Sequence, residues 1–124
     1  MTEPNDSLEW KSITGLRQEL RRFAAVRDWE QFHTPKNLAI ALSVEAGELL
    51  EHFQWLTAEQ SAKLSESDLV KVRQELADVL LYLVSLSDKL GVDLVAAAFE
   101  KLEINAMKYP VELAKGSAKK YTEL

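Results

Sequence analysis

Two short acidic pairs carry most of the potential chemistry in this chain. Glu45-Ala46-Gly47-Glu48 and Glu75-Leu76-Ala77-Asp78 each set two carboxylates three residues apart. On a helix that spacing places both acids on one face, one turn apart. Their surroundings are apolar at helical spacing. Leu38, Leu42, Leu49, Phe53 and Leu56 flank the first pair, and Val72, Val79, Leu83 and Leu86 flank the second. The acids therefore border the stripe that faces a core rather than the wet face. One such pair is ordinary surface decoration. Two pairs on the apolar edges of successive long helices are harder to explain that way. Four converging carboxylates would repel, by roughly 4 kcal/mol for two unit charges about 4 Å apart at an effective dielectric near 20. Protonation or a bound cation relieves this. Hard oxygen donors in a chain without cysteine favour Mg²⁺, with Mn²⁺ as a substitute. Di-iron bundles also hold inward carboxylates, but their pattern needs Glu-x-x-His twice. Here the third residue after Glu45 is Glu48 and after Glu75 is Asp78. His52, four residues past Glu48, reads better as a surface histidine than as a ligand.

The elements that position these acids read as helices throughout. Helical periodicity runs from Ser7 to Trp29 through Leu8, Leu16, Leu20 and Phe23, with Gly15 as a weak point. Thr34-Pro35 has the form of an N-cap followed by proline at the first helical position, opening a helix to about Trp55. A polar connection from Thr57 to Asp68 leads to a third helix, Leu69 to Leu90, stopped by Gly91. Asp93 caps a fourth, which ends near Lys108 before Pro110. The expected fold class is all-α, a helical bundle of four main helices in one domain over residues 1–124, with a flexible stretch over 1–7 and a tail over 111–124. The third helix is apolar on most sides, at Leu80, Leu81, Leu83, Val84 and Leu86, so one copy of the chain would struggle to cover it.

Bulk properties narrow the function. The net charge of −5 argues against binding nucleic-acid polymers, whose phosphates attract basic surfaces. No apolar run reaches the ~18 residues of a membrane span, and Met1 to Leu8 is polar and acidic, unlike a signal peptide. These features predict a cytoplasmic protein with no membrane association.

At the acids the sequence resembles the MazG-like all-α nucleoside triphosphate pyrophosphohydrolases. In that family Glu-x-x-Glu is followed by Glu-x-x-Asp on the next long helix. The likeness extends to Asp28-Trp29-Glu30-Gln31-Phe32-His33, the run from Asn37 to Glu48, Phe53-Gln54-Trp55, Tyr82, and the tail Lys108-Tyr109-Pro110 with Gly116-Ser117-Ala118-Lys119-Lys120-Tyr121. Those stretches look like the dCTP-cleaving branch, and they span roughly residues 16–124.

The resemblance implies a reaction in which a nucleoside triphosphate and water give the monophosphate and pyrophosphate, a chemistry of nucleotide-pool cleansing. It implies that Glu45, Glu48, Glu75 and Asp78 hold the metal that bridges the phosphates. It also implies that Trp29, Glu30, Gln31, Phe32, His33, Trp55 and Tyr82 line the nucleotide pocket, with aromatics stacking on the base and His33 at its edge. Asn105 matches a polar residue near the phosphates, and Lys108, Lys115, Lys119 and Lys120 are candidates to meet them. Where animal relatives carry a base-proximal histidine, this chain has Leu20, which offers no hydrogen bond. dCTP and its 5-modified forms are expected to lead, with the base edge read less strictly. Relatives of this kind form homotetramers built as dimers of dimers. The competing readings are a noncatalytic helical oligomer serving as an interaction module, and the same chemistry on another nucleotide such as dUTP.

Overall fold

The computed structural model describes residues 12–124. The expected flexible stretch over 1–7, and the proposed start of the first helix at Ser7, lie outside the described residues. Every regular element described is helical, with no strand among the described residues. α1 spans Ile13–Val26, α2 Pro35–Glu51, α3 Ala58–Ser61, α4 Glu66–Lys89, α5 Leu94–Lys108 and α6 Val111–Ala114. The expected all-α class and its four long helices are what the chain adopts.

The helix ends follow from local chemistry. Ser12 is extended, and its Oγ accepts the Gly15 N–H at 3.1 Å, so α1 begins at Ile13. α1 stops at Val26, short of the expected Trp29, because Asp28 takes a left-handed φ of 55°. The chain doubles back there, and the Trp29 N–H donates to the Ala24 carbonyl at 2.9 Å. Gln31 staples this turn, its amide donating to the Asp28 carbonyl at 3.0 Å and to its carboxylate at 3.1 Å. A 3₁₀ turn, Glu30–Phe32, follows. Thr34 caps α2 with Pro35 at the first position, as the sequence predicts. α2 ends at Glu51 rather than Trp55, and turns occupy residues 52–55. Thr57 and Gln60 form a reciprocal capping box on α3. Ser65 caps α4, which therefore starts three residues before the expected Leu69.

The chain divides into two compact units, one ending at Gly91 and one from Val92 to Leu124. In the first, α2 and α4 make the most extensive contact and α1 packs against α4. Ala24, Leu38, Val72 and Val84 are the buried apolar side chains among the described residues. Arg21 on α1 forks onto Asp88 on α4, Nε to Oδ2 at 2.8 Å and Nη2 to Oδ1 at 2.5 Å. That bidentate geometry fixes the register of the two helices. Many large apolar residues stay exposed, including Ile40 and Val44 on α2 and Leu69, Leu76 and Leu80 on α4. In the second unit, Asp93 caps α5 by accepting the Ala96 N–H at 3.0 Å, and the Tyr109 and Tyr121 rings meet edge-on at 6.0 Å.

Candidate active site

The acids converge because each occupies a place that its helix would normally give to an apolar residue. On α2, Glu45 lies two turns beyond the buried Leu38, on the same face. On α4, Glu75 lies one turn beyond the buried Val72. α2 and α4 meet along these faces, so the acids enter the seam between them. One carboxylate oxygen from each of Glu45, Glu48 and Glu75 lies within 4.8 Å of the others, and all three residues are half-buried. Asp78 is half-buried one turn further along α4. Its carboxylate is not part of this tight cluster, though its charge bears on Glu45. His52 is half-buried near the end of α2 and does not belong to the cluster either.

The electrostatics are those of an unfinished site. No ion pair among the described residues reaches any of the four acids. Glu45 Oε2 and Glu75 Oε2 are buried with no hydrogen-bond partner. Leaving a buried polar atom unpaired costs about 1–3 kcal/mol, and more for a charged one. The carboxyl of Glu45 is pushed up to about 7. Burial is the main cause, followed by proton sharing with Glu48 and Glu75, and then by the charges of Glu48 and Asp78.

The Trp29–His33 stretch lies at the other end of the same unit. The Trp29 ring meets Phe23 edge-on at 5.7 Å and His33 at 6.3 Å. His33 and Glu30 line a small recess beside the C-terminal half of α4. Gln31 is engaged in the Asp28 turn, and the exposed Phe32 offers its carbonyl to the Asn37 amide at 2.9 Å. Tyr82 is half-buried on α4, four residues past Asp78. Trp55 is 86% exposed, with no ring partner among the described residues. Asn105 stands half-buried on α5 in the second unit.

Known proteins supply the family. The MazG-like family model matches residues 40–124. The chain belongs to the MazG-like family. Human dCTP pyrophosphatase 1 is 45% identical over 115 residues, covering 91% of this chain and 68% of the relative. The Mus musculus dCTP pyrophosphatase 1 is 44% identical over the same shares. A crystal structure of a pyrophosphatase from Archaeoglobus fulgidus superposes with a TM-score of 0.74 at 41% identity, covering 78% of this chain and 91% of the other.

In this MazG-like chain the donor set fits a hard divalent cation. It offers carboxylate oxygens only, without cysteine, close enough to share one ion, and one oxygen each of Glu45 and Glu75 is buried without a hydrogen bond. The Arg21–Asp88 pair carries no sequence motif.

Proposed function

We propose that this MazG-like chain is a metal-dependent nucleoside triphosphate pyrophosphohydrolase that prefers dCTP or a 5-modified dCTP. One observation carries the reading: three carboxylate oxygens from two packed helices lie within 4.8 Å with no cation from the protein to match them. The identity with proteins named dCTP pyrophosphatase 1 supplies the substrate class. Glu45, Glu48, Glu75 and Asp78 would hold Mg²⁺ or Mn²⁺. Such a cation neutralises phosphate charge and polarises the α-phosphorus. The acids orient the attacking water, and a carboxylate of the set accepts its proton. Pyrophosphate leaves as the water oxygen bonds to the α-phosphorus, giving the monophosphate.

Trp29, Phe32, Trp55 and Tyr82 are the aromatic surfaces for the base, and stacking contributes ~1–3 kcal/mol per base. Trp55, being exposed, has a ring face available for this. The assignment of Asn105 to the phosphates rests on the resemblance alone. The exposed apolar residues of α2 and α4 support assembly into a homotetramer. No helix among the described residues is long and apolar enough to cross a membrane, which accords with a cytoplasmic, pool-cleansing role.

The test is pyrophosphate release from dCTP in Mg²⁺ and in EDTA, within a panel of the common nucleotides and 5-methyl-dCTP. Mg²⁺-dependent release led by the cytosine nucleotides is expected. No release from any nucleotide would leave only the noncatalytic helical module.

A further inference from the structure

The Trp29–His33 stretch has little packing to hold it. Trp29 is 43% exposed and Phe32 58%, and Glu30 and Gln31 are exposed as well. Most of its hydrogen bonds are internal. The Phe32 N–H donates to the Trp29 carbonyl at 2.9 Å, the His33 N–H to the Glu30 carbonyl at 3.1 Å, and Gln31 closes on Asp28. Among the described residues, two hydrogen bonds tie the stretch to the long helices. At one end the Trp29 N–H reaches the Ala24 carbonyl of α1 at 2.9 Å. At the other the Asn37 side chain on α2 donates to the Phe32 carbonyl at 2.9 Å. Only the second depends on a side chain.

Asn37 is well anchored for this task. It follows Pro35 and Lys36 in the first turn of α2, and its backbone N–H donates to the Thr34 hydroxyl at 3.2 Å. Its neighbour Leu38 is 1% exposed, so this turn of the helix is fixed in the core. A carbonyl only accepts, so it is the amide nitrogen of Asn37 that faces Phe32. An ionised aspartate has the same shape and no donor. Glu45 and Glu48 lie about two and three turns further along α2. The bond therefore joins the aromatic turn to the rigid element that carries two of the acids.

We propose that Asn37 is a positioning residue for the base: by holding the Phe32 carbonyl it fixes Trp29 and His33 relative to the acids of α2. The inference rests on the pyrophosphohydrolase reading, in which Trp29 and His33 meet the base and the acids meet the phosphates. Asn37 acts through the turn and needs no contact of its own with the nucleotide. Without its bond the exposed turn is tied by hydrogen bonds to α1 alone, and binding has to order it. That cost falls on ground state and transition state alike, so it raises KM and spares kcat.

The test compares the wild type with Asn37→Ala and Asn37→Asp, which both remove the donor. An acid in the first turn of a helix is favourable, so Asn37→Asp should keep the melting temperature of the wild type. KM for dCTP in Mg²⁺ should rise roughly two- to tenfold in both, the range that one net hydrogen bond spans, with kcat little changed. Inhibition by inorganic tripolyphosphate, a probe without a base, should be as strong in Asn37→Ala as in the wild type. In a background of Trp29→Ala with His33→Ala, Asn37→Ala should add no further rise in KM. An unchanged KM, or a rise that persists without the two rings, overturns the role of Asn37 and leaves the hydrolytic reading standing. So does tripolyphosphate inhibition weakened as much as dCTP binding, because the acids and not the turn have then moved. Calorimetry with dCMP in Mg²⁺ reads the turn without hydrolysis. A wild type that cleaves no triphosphate, yet loses dCMP affinity on Asn37→Ala, supports the positioning role and overturns the hydrolytic reading instead.

Discussion

α4 carries two charged junctions, and they are opposites. Near its C-terminus Asp88 meets Arg21 in a fork, with every partner supplied by the chain. The Arg21 hydrogen bonds, and then its charge with those of Arg17 and Lys89, outweigh burial and hold Asp88 below its usual carboxylate range. Nearly four turns earlier Glu75 meets Glu45 and Glu48, with no cation from the protein, and Glu45 is driven up to about 7. One helix thus presents a completed ion pair and an uncompleted cluster. The first shows that this fold can place an arginine against a carboxylate on a neighbouring helix. The second is therefore not a failure of packing. Like charges kept together in a helix seam oppose folding, and such violations of local consistency are expected where function needs them.

Breaking each junction separates the two roles. The largest effect is expected at the cluster: Glu75→Gln removes a charge at almost constant shape and should lower turnover by at least ~10²-fold. An undiminished rate in steady-state assays would remove Glu75 from the metal site. Next, Mg²⁺ should raise the melting temperature, since a cation at a hundred times its Kd stabilises the folded state by about 2.7 kcal/mol. Glu48→Gln should blunt that rise, and a melting curve indifferent to both Mg²⁺ and EDTA would count against a site of useful affinity.

A smaller effect sharpens the contrast through pH. Glu45 titrates near 7 in the folded chain, against 4.5 in its absence of interactions. Between those values the folded state keeps a proton that the unfolded state has lost. In EDTA, stability contributed by Glu45 should therefore fall as pH rises from about 4.5 to 7. In Mg²⁺ the cation competes with that proton, so its stabilising effect should grow as pH rises through 7. Melting curves of the wild type and Glu45→Gln across this range would show the slope in the first and lose it in the second. Least of all, Arg21→Ala should lower the melting temperature by only a few degrees, because the arginine is exposed and water screens the pair. It should leave the Mg²⁺ response intact, and loss of that response would mean the two junctions are coupled.

The sequence exposes the cluster far better than the clasp. Two acid pairs at a three-residue spacing within apolar stripes can be read directly, since a helix turns spacing into geometry. The N-caps at Thr34 and Asp93, and the stop before Pro110, are local signals and appear where expected. The partnership of Arg21 with Asp88 spans 67 residues, and no periodicity announces it. The early end of α1 turns on one left-handed residue, Asp28, which is uncommon for any side chain but glycine. α3 and α6 are four residues each, too short to show a period, although the Thr57-x-x-Gln60 box marks the first of them. The tight grouping of Glu45, Glu48 and Glu75, with Asp78 outside it, depends on side-chain reach that spacing alone does not set.

The thin core of the first unit bears on how the protein should be handled in solution. Among the described residues Ala24, Leu38, Val72 and Val84 are few buried apolar side chains, while Ile40, Val44, Leu69, Leu76 and Leu80 are exposed. If copies of the chain cover those residues for one another, much of the apolar burial that resists unfolding is intermolecular. Dilution then works as a denaturant. The melting temperature becomes a function of protein concentration, and a value quoted without that concentration describes no single equilibrium.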